Sequence, residues 1–132
     1  MKTIRLDGVV GWDVLAEDIA PQIEDEIELN LIINSGGGDV LEGFAIYNLL
    51  NSFEGRINVQ VDFAASMASV IAMAGDEITM MDNSSIMMIH RPWGVAGGNS
   101  EDFRKQADTL DKMEEMLLNI YADRSGMDRE NI

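Results

Sequence analysis

Cysteine is absent from the chain and histidine occurs once, at His90. Without a thiol there is no disulfide, no thiolate nucleophile and no cysteine-ligated zinc, and one imidazole leaves too few soft ligands for a typical zinc site. No metal or other cofactor is expected. Basic residues are scarce too: nine Lys and Arg stand against 24 Asp and Glu, for a net charge of −15. That balance repels phosphate and disfavours nucleic-acid binding. No apolar run approaches the ~18 residues of a membrane span, and Met1 to Asp7 lacks the apolar centre of a signal peptide. The expectation is a cytoplasmic protein that neither enters a membrane nor is secreted. Gly36-Gly37-Gly38 lacks a following Lys-Ser/Thr and misses the Gly-x-Gly-x-x-Gly spacing, so nucleotide binding fits poorly. The acidic run Glu24-Asp25-Glu26 with Glu28 matches no calcium loop and, beside Ile23 and Ile27, reads as a solvated helix face.

What is present suits one compact domain spanning 1–132: 46% of the 132 residues are hydrophobic, and nothing resembles a linker. Lys2 to Val10 reads as a strand. Val14 to Glu28 reads as a helix, with Leu15, Ile19, Ile23 and Ile27 on one face and Pro21 kinking or dividing it. Leu29 to Ile33 has almost no polar alternation, which predicts a strand buried on both faces of a parallel sheet, ending in a glycine loop at Gly36-Gly37-Gly38. A helix marked by Val40, Phe44, Tyr47 and Leu49 or Leu50 follows, then an alternating strand through Ile57, Val59 and Val61. Met67 to Ala74 carries no charge and reads as a buried helix. Strands over Ile78 to Met81 and Ile86 to His90 come next, and a glycine-rich stretch leads to a long helix from Ser100 to about Asp123, capped by Asn99 or Ser100. Its apolar stripe runs through Phe103, Ala107, Leu110, Met113 or Glu114, Leu117 and Ile120 or Tyr121, and part of it is expected to meet another subunit. This repeated β-α order predicts an α/β fold with a mostly parallel sheet covered by helices, and with ligands near the carboxyl ends of its strands.

Two of those strand ends carry reactive side chains. Ser66 stands where a strand passes into a helix; its hydroxyl either caps the helix or, among small neighbours, stays open as a nucleophile. His90 supplies the one imidazole able to take a proton from it, although a lone histidine at a strand end is also an ordinary structural residue. The triglycine permits close backbone approach, which serves an oxyanion hole, a phosphate cradle or a tight turn; the acidic chain favours the first over the second.

Together these residues resemble the Clp protease proteolytic subunit family, whose Ile-Asn-Ser-Pro-Gly-Gly motif stands here as Ile33-Asn34-Ser35-Gly36-Gly37-Gly38, followed by Gly43-Phe44-Ala45-Ile46-Tyr47. Its Ala-Ala-Ser-Met segment is Ala64-Ala65-Ser66-Met67, and its Met-Ile-His-x-Pro segment is Met88-Ile89-His90-Arg91-Pro92. Ala68 to Asp76 and Pro92 to Asn99 are most similar to the phage and prophage branch, described as head-maturation proteases. The resemblance implies the Clp/crotonase-like fold and a serine endopeptidase. It makes Ser66 the nucleophile, His90 the general base and then acid, and the amides of Gly38 and Met67 the oxyanion hole. It divides the chain into a core over 1–99 and a handle helix over 100–123. It further implies peptide or protein substrates that pair as an extended strand, a homo-oligomeric ring, and phage capsid or scaffold proteins as partners, with an unfoldase ATPase left open.

Three departures qualify the carry-over. Gly36 replaces the family's proline, Asp62-Phe63 stands where relatives have a glycine and a further residue, and the family's catalytic aspartate falls beyond the position matching Ile132. On that resemblance the chain reads as truncated, with no aspartate assigned to the triad and the approach of Asp123 or Asp128 left open. Two other readings compete: a crotonase-like acyl-CoA enzyme, against which Ser66 with His90 argues, and a catalytically inactive ring-forming protein, which the missing aspartate favours.

Overall fold

Every second residue of the strands is apolar, and that alternation decides how the chain from Met1 to Ile89 folds. The computed structural model describes residues 1–132, whose contacts form two units, Met1–Ile89 and His90–Ile132. In the first unit, β1 (Lys2–Val10), β2 (Glu28–Gly38), β3 (Arg56–Ala65), β4 (Glu77–Met80) and β5 (Ile86–Met88) form one five-stranded sheet. The order is β1-β2-β3-β4, with β5 also on β3, and each pairing is parallel. Parallel neighbours need crossovers. These carry α1 (Ala16–Ile23), α2 (Val40–Asn51) and α3 (Met67–Ala72).

The helices pack on one face of the sheet. Ile4 and Leu6, Leu29, Leu31 and Ile33, and Ile57, Val59 and Val61 join Ile19, Ile23, Ile46, Leu50, Ala68 and Ile71 in a single buried cluster. The opposite face is polar and partly open, which corrects the expectation that β2 is buried on both sides: its residues from Glu28 alternate between partly and fully buried. Polar side chains there satisfy one another across strands. Asn58 Nδ2 donates to Glu28 Oε1 (2.9 Å), and Arg56 donates to Asn58 Oδ1 (3.0 Å) and Glu77 Oε2 (2.8 Å).

Several boundaries differ from the sequence pattern for identifiable reasons. The predicted helix over Val14 to Glu28 is only α1, which continues through Pro21 and is closed by Glu24, ahead of Asp25 at a positive φ of 61° that a right-handed helix cannot include. Ile27, expected on its apolar face, is 82% exposed outside it. In α2 the deepest side chains are Ile46 and Leu50, both fully buried, while Val40 and Tyr47 of the predicted stripe are only half-buried. The predicted glycine loop is strand: β2 continues through Gly38, paired with β1 as Val9 with Gly37 and Val10 with Gly38. At the same carboxyl end of the sheet, β5 stops at Met88 and leaves His90 outside it.

The second unit begins with residues 90–98, which lack regular structure, and is dominated by α4 (Ser100–Ser125). Its 26 residues correspond to about 39 Å at the usual rise. Asn99 and Asp102 form a reciprocal capping box, and Gly126 closes the helix in a left-handed conformation (φ 74°). The chain then forms a 3-10 turn over Arg129–Asn131, tied to the helix by Arg129 Nη2 and Glu115 Oε1 at 2.6 Å. Of the predicted apolar stripe, Leu117 and Tyr121 are buried, whereas Phe103 and Ala107 are exposed. No helix is long and apolar enough to cross a membrane.

Candidate active site

A strand that must become a helix within one residue needs a sharp turn, and Ser66 is that residue. Its φ of 56° and ψ of −127° put a side-chain-bearing residue where glycine is at home, at a cost of order 1–3 kcal/mol. Three backbone hydrogen-bond relations hold it there. Ser66 N donates to Met88 O (2.9 Å), tying the elbow to the end of β5, and Ser66 O accepts from Ser69 N (3.0 Å) and Ser69 Oγ (2.5 Å). The half-buried Ser66 hydroxyl makes no cap hydrogen bond to α3, so the structural role weighed for it from the sequence is not the one it plays.

The end of β2 lies against this elbow. A Cβ on Gly37 would stand 2.6 Å from Ser66 Cβ, 2.8 Å from Ala65 O and 3.1 Å from Met67 N, so only glycine allows the approach, and its φ of +94° demands glycine independently. Gly38 is packed as closely on β1: a Cβ there would collide with Val10 O. Its neighbours are fixed by hydrogen bonds, Gly37 N to the buried Ser35 Oγ (3.1 Å) and Asp39 N to Val10 O (2.9 Å). The segment from Gly36 is therefore a register-locked strand end. Met67 occupies the first position of α3, where a helix leaves its amide without an intrahelical acceptor.

Ser66, Gly37, Gly38 and Met67 all belong to the first unit, while His90 opens the second. The imidazole is exposed, and its Nδ1 lies 2.6 Å from Arg91 O. A carbonyl can only accept, so Nδ1 is the donor in this contact and Nε2 is the ring nitrogen left outside it. Pattern reading overlooked Ser69, yet a signal was present: it is the one polar residue in the helix Met-Ala-Ser-Val-Ile-Ala and stands three positions after Ser66.

A serine on a strained strand-to-helix elbow of a parallel-sheet α/β protein, faced by a glycine strand end, is an arrangement that serine hydrolases also use. Comparison with known proteins narrows that class. The family model for Clp protease matches residues 14–132. The ATP-dependent Clp protease proteolytic subunit of Ligilactobacillus salivarius (strain UCC118) is 38% identical over 139 residues, covering 99% of this chain and 70% of that protein. The chain belongs to the Clp protease family.

Proposed function

We propose that this chain is a serine-type endopeptidase in which Ser66 is the nucleophile, His90 the general base and then acid, and the amides of Gly38 and Met67 the oxyanion hole. The observation that carries the reading is the conformation of Ser66: a residue held at φ 56° with its hydroxyl uncommitted to the helix it precedes. Strain of this kind persists where the surroundings over-determine it, as at catalytic elbows. The order of the chain supports the pairing with His90, which follows by two residues the Met88 whose carbonyl receives the Ser66 amide.

In the proposed reaction Ser66 Oγ attacks the scissile carbonyl carbon while His90 Nε2 takes its proton. The carbonyl oxygen becomes an oxyanion held by the two amides, each contributing about 10²- to 10³-fold. The C–N bond then breaks as His90 returns the proton to the leaving amine, and water hydrolyses the acyl-enzyme by the same steps. Arg91 O holds the Nδ1–H tautomer, which is one of the tasks of a triad carboxylate; no aspartate of this chain is assigned the other, stabilising the imidazolium. The substrate is a peptide or protein lying as an extended strand beside Gly38, and subunits associate as a cytoplasmic ring through α4. The Ala68 to Asp76 and Pro92 to Asn99 segments favour the phage head-maturation branch, with capsid or scaffold proteins as substrates. Neither a metal nor another cofactor has a part in this chemistry.

The test is fluorophosphonate labelling and short-peptide hydrolysis by the full chain, with Ser66→Ala and His90→Gln beside it. Covalent labelling confined to Ser66 and lost in both variants supports the reading. A folded, assembled chain that neither labels nor turns over defeats it and leaves the ring-forming, non-enzymatic alternative.

A further inference from the structure

We infer that Ser69 is a positioning residue for this reaction, aiming the oxyanion donor through the peptide bond that Ser66 shares with Met67; the inference rests on Ser66 as nucleophile. Ser69 is fully buried, and its hydroxyl and its amide converge on one acceptor, Ser66 O, at 2.5 and 3.0 Å. A serine inside a helix commonly returns its hydroxyl to a carbonyl three or four residues back. Here the carbonyl that receives it belongs to the strained elbow residue.

The peptide unit is planar, so Ser66 C=O and Met67 N–H point in opposite directions from one rigid plate. Two donors gripping the oxygen fix that plate, and with it both the ψ of −127° at Ser66 and the direction of Met67 N–H. On the far side of Ser66, the bond from its amide to Met88 O (2.9 Å) stops the preceding plate from rotating in compensation. Gly37 keeps the space before the amide open, since a Cβ there would lie 3.1 Å from Met67 N. A donor serves an oxyanion only if it is aimed before charge develops. The Ser69 hydroxyl supplies that aim from inside the core, without touching substrate.

Ser69→Ala removes the hydroxyl with little change of shape, and Ser69→Thr keeps it. Both are compared with wild type and Ser66→Ala in the full chain, by thermal unfolding, by the rate and affinity terms of fluorophosphonate labelling, and by kcat and KM on a short peptide. The expected result is a fall of about 10-fold in labelling rate and kcat for Ser69→Ala, less than the 10²–10³ of deleting a donor because the amide is misaimed rather than lost. Reagent affinity and KM stay within about twofold, because the ground state does not use the oxyanion. Ser69→Thr restores the rate. Wild-type rates in folded Ser69→Ala, a fall confined to KM, or a folded Ser69→Thr as slow as the alanine form would overturn the positioning role alone. Where Ser69→Ala does not fold, the threonine variant decides by the same criterion. Absence of Ser66 labelling in the folded wild type overturns the nucleophile assignment itself, and the positioning role with it.

Discussion

Replacing Ser66 by glycine is expected to make the protein more stable while abolishing its activity. The pair φ 56°, ψ −127° is close to the mirror image of an ordinary extended conformation, which glycine enters as readily as the extended form itself. For any residue with a Cβ the cost is of order 1–3 kcal/mol. Glycine recovers that strain but loses about 0.5–1 kcal/mol through the greater freedom of the unfolded chain. The net expectation is a gain centred on about 1 kcal/mol, or roughly 3–5 °C in Tm for a chain of this size. Ser66→Ala is the proper reference. It also lacks the nucleophile, keeps the strain, and removes a hydroxyl that caps nothing, so its stability stays within about 0.5 kcal/mol of wild type. Denaturant or thermal unfolding of the two inactive variants therefore reads the backbone term alone. If Ser66→Gly proves equal to or less stable than Ser66→Ala, the elbow is not strained and the argument for a held nucleophile loses its footing.

Gly37→Ala places a methyl group 2.6 Å from Ser66 Cβ at a positive φ, so a stability loss of about 1–3 kcal/mol should accompany a fall of roughly 10²-fold in Ser66 labelling, measured on the same folded sample. Asp39 Oδ2 accepts from Glu42 N at 2.7 Å as the cap of α2, and Asp39→Ala should lower the unfolding free energy by about 1 kcal/mol in a denaturant titration. Ile46→Ala, at a fully buried position, should cost about 2–5 kcal/mol by the same measurement. Leu41→Ala on the same helix, 69% exposed, should stay within about 0.5 kcal/mol.

How far the sequence could be read depended on whether a feature is local. The parallel order of strands and helices, the Ser66 junction and the Asn99 start of α4 follow from residues a few positions apart, and the structure contains each of them. The polarity of the outer sheet face was misjudged because Leu29 to Ile33 looks continuously apolar. Only the neighbouring β3, with Asn58 and Gln60 beside Asn30 and Ile32, reveals that this face is wet. The Ser66 torsions were beyond pattern reading, because they arise from how β2, β3 and β5 meet, which no spacing along the chain encodes. The bond from Ser69 to the Ser66 carbonyl is local, three residues apart, and was overlooked rather than hidden.

The stretch Asp62-Phe63 illustrates the limit best. Continuing the alternation of Ile57, Val59 and Val61 would turn Phe63 into the core, yet Phe63 is 36% exposed and Ala64 is buried instead. The pairing explains why: Ile33 is opposite Val61 but Asn34 is opposite Phe63, so Asp62 is an extra residue, a bulge that exchanges the two faces of β3. From the sequence this was only a departure from the family's pattern, Asp62-Phe63 standing where relatives have a glycine and a further residue. In the fold it has a consequence for the elbow. β4 pairs with Asn58 to Val61 and β5 with Phe63 to Ala65, so the bulge separates the two pairings made along one edge of β3. Beyond it, Ala65 stands opposite Met88, and the next amide, that of Ser66, meets Met88 O. Removing the extra residue would shift that register by one and turn the serine toward the opposite face. The residue that looked like a flaw in the motif is thus what brings the motif's serine to the end of β5.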